Sequence, residues 1–207
     1  MFELKKDKKI YVVTNRKLIK EDNIYNVIEA CAKKGTDAVI LREKDLEYDD
    51  LRKLAEGIKI ITEKYNILLI INGNIDVAVD IEADGFHTGF NSFKDMVKNN
   101  ILNFKIEASK VQKKFLYGVS VHSINEGIEA EKLQADYLIA GNVFETDCKP
   151  GLKGRGLEFI EDLSRNVNIP VIAIGGINHS NIEEILNSGA EGAAVMSYAM
   201  KIITENK

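Results

Sequence analysis

The residue types best suited to chemistry gather between Ala140 and Gly156, in the run Ala-Gly-Asn-Val-Phe-Glu-Thr-Asp-Cys-Lys-Pro-Gly-Leu-Lys-Gly-Arg-Gly. It follows the apolar residues Tyr137, Leu138, Ile139 and Ala140, and holds four glycines, two lysines, an arginine and one of the chain's two prolines. Glycine lets a backbone approach a ligand closely. Lys149, Lys153 and Arg155 offer positive charge and donors suited to phosphate or carboxylate. A strand running out into such a loop outlines an anion site; the plain alternative is a solvated connector. Two later turns of small residues, Gly175-Gly176 and Met196-Ser197, favour the anion reading. Each follows an apolar run and precedes a helical pattern, so their backbone N–H groups can converge on one phosphate. Taken singly, the double glycine is a tight turn.

Arg42 and Lys44 flank Glu43 just after the run Ala38–Leu41. Alternation along an extended chain puts the two cations on one side and the carboxylate on the other. They can face an anion, or they can form surface salt bridges with Asp45 or Glu47. Of the three histidines, His179 falls near a helix start and His87 follows Gly85-Phe86, where a hydrogen-bonded structural role fits. His122 follows the apolar run Leu116–Val119 and precedes a capping serine. Imidazole there can move a proton near neutral pH, or it can be structural. Cys31 lies on an apolar helical stripe, Cys148 in the glycine-rich loop as a bystander thiol, and there is no CxxC. No HExxH, histidine cluster, P-loop or dinucleotide fingerprint is present, so neither metal nor cofactor is expected.

These groups need a scaffold. With 207 residues, 45% of them hydrophobic, the chain has material for one core, and residues 1–207 read as one domain. A net charge of -4 gives no general affinity for nucleic acid or anionic membrane. No stretch approaches a membrane span, and the N-terminus has no apolar leader segment, so a cytoplasmic location is expected. The sequence leaves room for a homo-oligomer.

Eight short apolar runs recur: 10–13, 38–41, 67–71, 85–86, 116–119, 137–140, 171–174 and 193–195. Their uniform apolarity reads as buried parallel strands. Between them lie amphipathic stretches such as Ile24, Val27, Ile28 and Cys31, and Leu51, Leu54, Ala55 and Ile58. Ser123 with Glu126, and Ser180 with Glu183, have capping-box spacing. The stretch 93–115 has a blurred period. A weak repeat closes the connections before strands two, four, six and eight: Gly35-Thr-Asp-Ala38, Ala83-Asp-Gly85, Ala135-Asp-Tyr137 and Gly189-Ala-Glu-Gly192. Eight strands alternating with helices predict an α/β fold, a (β/α)8 TIM barrel, whose chemistry lies at the C-terminal strand ends.

In that frame the strand ends resemble those of the thiazole tautomerases, the TenI family, within the thiamin phosphate synthase superfamily. The matching residues are Arg42-Glu-Lys44, Asn72-Gly73, Ser120-Val-His-Ser123, Val143-Phe-Glu-Thr-Asp-Cys-Lys149, Gly154-Arg-Gly156, Ile169–Gly176 and Ala194-Val-Met-Ser197. The resemblance spans nearly the whole chain, and the stretch 143–156 is its most specific part. Arg42, Lys44, Lys149 and the two glycines match the synthases as well. The synthases, however, carry acidic residues for magnesium and diphosphate at strand ends three and four, where this chain has Gly73 and Asn91 or Ser92. Ile40 stands where they have a glutamine. Thr146 is kept from their diphosphate loop, while Cys148 replaces its neighbouring hydroxyl. The resemblance implies an isomerase that aromatises a carboxythiazole phosphate tautomer, with no cofactor and a small-molecule thiazole phosphate as partner. His122 would be its acid–base residue. Arg42, Lys44, Asn72, Thr146 and Lys149 would contact the substrate, and Gly175, Gly176, Met196 and Ser197 the phosphate. The alternatives are thiamin phosphate synthase and a non-catalytic, ligand-binding regulatory protein.

Overall fold

In the computed structural model, which describes residues 8–102, 114–146, 151 and 153–201, the apolar runs become eight strands. They are β1 (Lys9–Val13), β2 (Ala38–Leu41), β3 (Leu68–Asn72), β4 (Gly85–Gly89), β5 (Leu116–Val121), β6 (Tyr137–Gly141), β7 (Val171–Ile174) and β8 (Gly192–Val195). Each pairs in parallel with the next, and β8 returns to β1, closing a barrel. Helices α1 (Ile24–Lys33), α2 (Tyr48–Tyr65), α3 (Ile75–Asp80), α4 (Phe90–Lys98), α5 (Ile124–Lys132), α6 (Gly156–Asn166), α7 (Ile182–Asn187) and α8 (Ser197–Lys201) follow the strands in turn. The expected (β/α)8 architecture is what the chain forms.

Burial falls into two shells. Val12, Val39, Leu41, Leu69, Ile71, Val119 and Leu138 point outward and pack beneath helical residues such as Val27, Ile28, Ile58 and Ile160. Tyr11, Val13, Ile40, Ile70, Tyr137, Ile139 and Ile172 fill the barrel itself. The period-two alternation of each strand divides its side chains between these shells.

The weak sequence repeat has a structural cause. Asp37, Asp84 and Asp136 each stand just before a strand, and each carboxylate accepts a backbone N–H from the preceding strand: Ile10, Leu69 and Tyr117, all at 2.8 Å. The backbone N–H of the same three aspartates donates back to the carbonyls of those residues at 2.8–2.9 Å. Each aspartate therefore pins the N-terminal end of one strand to its neighbour. Glu191, the fourth member, makes the backbone bond to Val171.

Several boundaries differ from the sequence reading. β4 continues through His87 and Thr88, whose polar side chains ended the apolar run although both are buried. β5 continues to Val121, which puts His122 directly after the strand. Ser123 caps α5 by accepting from the Glu126 N–H at 3.2 Å, as its spacing predicts. Ser180 does not cap α7. Its hydroxyl and N–H both donate to Asn178 Oδ1, and Asn181 takes the cap position. A local Asx turn has outcompeted the helix end for the serine. Of the blurred stretch, α4 is seen, and 103–113 lies outside the described residues. No helix among the described residues is long and apolar enough to cross a membrane.

Candidate active site at the C-terminal strand ends

Alternation that buries Val13, Ile40, Ile70, Ile139 and Ala194 inside the barrel carries each strand's next inward residue to the C-terminal mouth. There a cavity of about 660 Å³ opens, within the ~300–1,000 Å³ typical of small-molecule sites. Arg42, Lys44, Asn72, His122, Thr146, Gly175, Gly176, Met196 and Ser197 all line it. The structure thus brings together every sequence-predicted site residue except Lys149, which lies outside the described residues along with Cys148. Among the described residues the lining includes Arg42, Lys44 and Lys201, and no carboxylate.

Arg42 and Lys44 owe their orientation to Glu43. That side chain turns away from the cavity, is 5% exposed, and accepts from the Arg16 N–H at 3.0 Å and from Arg16 Nη1 at 2.9 Å. The Arg42 N–H donates to Thr14 Oγ1 at 2.9 Å. The β1 and β2 exits are thereby tied together, with two cations facing inward. Among the described residues neither Arg42 nor Lys44 forms a salt bridge with Asp45 or Glu47. Asp45 is taken by Arg16 at 2.8 Å and Lys17 at 3.0 Å, and the Arg16 hydrogen bond holds its carboxyl well below the usual range.

His122 is exposed at the rim. Its backbone N–H donates to Glu126 Oε2 at 2.6 Å, so the carboxylate reaches one residue past the serine a capping box would use. Its ring lies over Gly141 of β6: a Cβ at Gly141 would fall 2.7 Å from His122 Cε1. His87 lies deeper and is 2% exposed. Nε2 faces Ser120 Oγ at 2.8 Å and Nδ1 faces the Tyr137 hydroxyl at 3.2 Å. Burial, with the Arg42 charge adding to it, lowers the pKa of His87 to about 3, so its ring is neutral.

The glycines of the β7 turn serve packing. Gly175 (φ +116°) and Gly176 (φ +65°) lie in the left-handed half of backbone space. A Cβ at Gly175 would meet Asn142 Cα at 2.8 Å, and one at Gly176 would meet Glu145 O and Phe144 Cβ at 2.7 Å. The β7 turn therefore presses on the β6 exit. A side chain at Gly176 would meet the loop. Bonds from Phe144 N to Gly175 O at 3.1 Å and from Asn181 Nδ2 to Gly176 O at 2.9 Å hold the turn. Asn142, itself at φ +62°, closes the loop's neck by accepting from the Arg155 N–H and donating to Lys153 O, both at 2.9 Å. Of the loop cations, Arg155 stacks over the Phe159 ring at 5.4 Å, and neither it nor Lys153 lines the cavity.

Sequence reasoning missed Asn15, Ser120, Asn142 and Lys201, which line the cavity too. Two of these follow from alternation alone: Tyr11, Val13 and Asn15 share a face, as do Gly118, Ser120 and His122. Lys201 lies one helical turn past Ser197 and carries no such signal.

The fit to a magnesium–diphosphate site is poor. Gly73 leaves β3 with φ +84° and no neighbour within 4 Å of a would-be Cβ. Asn91 and Ser92 begin α4 after β4. Neither strand end supplies the hard anionic oxygen donors that magnesium prefers.

The sequence model of a family described as thiamine monophosphate synthase matches residues 10–199. A thiamine-phosphate synthase of Clostridium acetobutylicum is 39% identical over 191 residues, 92% of this chain and 86% of that protein. A putative thiamine-phosphate synthase 2 of Aquifex aeolicus is 37% identical over 189 residues, 91% of this chain and 96% of that one. Among solved structures, a thiamine phosphate pyrophosphorylase from Pyrococcus furiosus superposes with a TM-score of 0.74 at 29% identity, covering 97% of this chain and 96% of its own. These names agree better with the synthase alternative than with the tautomerase reading.

Proposed function

From the premise that the chain belongs to the thiamine monophosphate synthase family, we propose that it works in thiamin biosynthesis as a thiazole tautomerase. The carrying observation is His122 at the rim of a cavity lined by cations and, among the described residues, by no carboxylate. Such a lining suits a small anionic substrate that brings its own phosphate and carboxylate. It does not suit a diphosphate whose charge must be shared with a metal.

On this reading the phosphate sits at the turns Gly175-Gly176 and Met196-Ser197, held by backbone N–H groups. Arg42 and Lys44 take the carboxylate, with Asn72, Thr146 and Lys149 completing the contacts. A base removes the ring proton at the carboxylate-bearing carbon, and an acid returns a proton to the exocyclic carbon. The ring becomes aromatic, atoms and charge balance, and no cofactor is consumed. On this reading His122, at the cavity rim, serves both transfers. Aromatisation makes the reaction downhill, so a positioned proton shuttle is the whole requirement; such shuttles contribute roughly 10² to 10⁴ in rate.

A second reading, thiamin phosphate synthase, is favoured by the names of the relatives. One pair of assays separates the two. The purified chain is incubated with the non-aromatic carboxythiazole phosphate tautomer, and separately with the pyrimidine diphosphate, thiazole phosphate and magnesium. Rapid aromatisation with no coupling is the expected result. Magnesium-stimulated coupling at a steady turnover, with no tautomerase activity, would replace the first reading by the second.

A further inference from the structure

We infer that Tyr137 and His87 form a buried relay that fixes the Ser120 hydroxyl as a hydrogen-bond donor into the cavity, so that the site selects ligands with an acceptor atom above Ser120. The inference rests on the reading above only for the ligand's identity.

His87 is neutral, and a neutral imidazole carries one N–H and one lone pair. Its two nitrogens meet two hydroxyls, Tyr137 at Nδ1 and Ser120 at Nε2. Two arrangements are possible. If Nδ1 carries the proton, it donates to the Tyr137 oxygen, and the Tyr137 O–H must find another acceptor. Tyr137 is 3% exposed, and among the described residues His87 is its only hydrogen-bond partner. An unmade hydrogen bond at such depth costs about 1–3 kcal/mol. If Nε2 carries the proton, Tyr137 donates to Nδ1 and every buried proton is used. Nε2–H then donates to Ser120 Oγ, and the serine's own proton is left to point elsewhere. Ser120 lines the cavity and has no other partner among the described residues, so that direction is towards a ligand.

The surroundings hold this geometry. Tyr137 is wedged edge-on against Tyr11 with ring centroids 5.6 Å apart, and lies against the His87 ring at 5.7 Å. Gly118, inward on β5, leaves the space both rings occupy; a Cβ there would fall within the Tyr137 ring and 2.5 Å from His87 Nδ1. Ser120 and His122 are two residues apart on one strand face, so the acceptor read by Ser120 lies beside the atoms His122 would serve. A ligand presenting only an N–H at that point meets donor against donor, whereas a ring nitrogen or carboxylate oxygen is bound.

Long-range ¹H–¹⁵N spectra of the histidine-labelled, unliganded protein read the tautomer directly, independent of what the enzyme acts on. His87, identified by its loss in His87→Gln, should show a protonated Nε2 and a lone-pair Nδ1. Tyr137→Phe, which keeps the ring, removes the bias and should divide the proton between the two nitrogens. Ser120→Ala should leave the tautomer unchanged and weaken binding of carboxythiazole phosphate, or of thiamin phosphate if the synthase reading prevails, by about tenfold, the loss of one hydrogen bond to a charged acceptor. A proton on Nδ1 in the wild-type protein overturns the relay. Undiminished binding by Ser120→Ala overturns its role as the donor, whichever reading of the reaction holds.

Discussion

The imidazole of His122 rests on the backbone of Gly141. A Cβ added to Gly141 would lie 2.7 Å from His122 Cε1 and 3.0 Å from Nδ1, with the next neighbour, Val121 O, at 3.9 Å. The absence of a side chain on β6 thus defines where a ring on β5 can lie. Gly141 has no left-handed backbone angle, so alanine there introduces no strain beyond this contact. Gly141→Ala is expected to fold normally and to push the His122 ring away from its seat, cutting tautomerase turnover more than substrate affinity. Steady-state kinetics beside a melting curve checks this; turnover equal to wild type would detach ring position from catalysis.

His122→Asn removes the proton shuttle while keeping a polar side chain at the rim. Turnover should fall by roughly 10² or more, with phosphate affinity nearly unchanged. Glu126→Ala, which frees the His122 N–H now bonded at 2.6 Å, should give a smaller loss in the same direction. Unchanged turnover in a folded His122→Asn protein would move the acid–base role to another group, the substrate's own carboxylate or Cys148.

Gly176→Ala combines an unfavourable φ of +65° with contacts of 2.7 Å to Glu145 O and Phe144 Cβ. A loss of about 1–3 kcal/mol in stability is expected from the backbone strain alone. Phosphate affinity should fall as well, because the loop bearing Thr146 is displaced. Gly73→Ala, with φ +84° and open space around it, shares the strain but not the collision. Denaturant titration of both, with phosphate binding to each, should find the larger double effect at Gly176.

His87 makes stability depend on pH. Its pKa is lowered to about 3 in the fold, against ~6.5 for an unperturbed histidine. The unfolded chain therefore binds a proton that the folded one does not across this interval. The His87 contribution is fully present above pH ~6.5 and is lost as the pH falls towards 3, with a slope approaching about 1.4 kcal/mol per pH unit. His87→Gln should flatten the stability profile between pH 5 and pH 6.5. An unaltered profile would mean that His87 is protonated in the folded state.

Removing an aspartate clamp should cost stability without touching the mouth. Asp84→Ala leaves the Leu69 N–H without its 2.8 Å acceptor at the barrel's N-terminal face, an expected loss of about 1–3 kcal/mol. Turnover of the folded fraction should stay at the wild-type value, since the pair lies at the opposite end of the strands from the mouth; a selective loss of turnover would contradict that separation.

Strand count, barrel closure and most of the mouth were legible in the sequence because buried parallel strands are short, uniformly apolar runs and because alternation is local. Arg42 and Lys44 could be assigned to one face from spacing alone, as could the pairing of Ser123 with Glu126. What spacing could not provide was which neighbour wins a shared partner. Asp45 went to Arg16, 29 residues away, and Ser180 to Asn178 in a turn that replaces the expected helix cap. The burial of His87 within β4, against the polar break it makes in the apolar run, depended on Ser120 and Tyr137 arriving from β5 and β6. The seat of His122 on Gly141 likewise exists only once β5 lies beside β6. Local periodicity determines which face of a strand a residue occupies; contacts such as those of His87 with Ser120 and Tyr137 are settled by the barrel's closure, because they join residues that the chain itself keeps tens of positions apart.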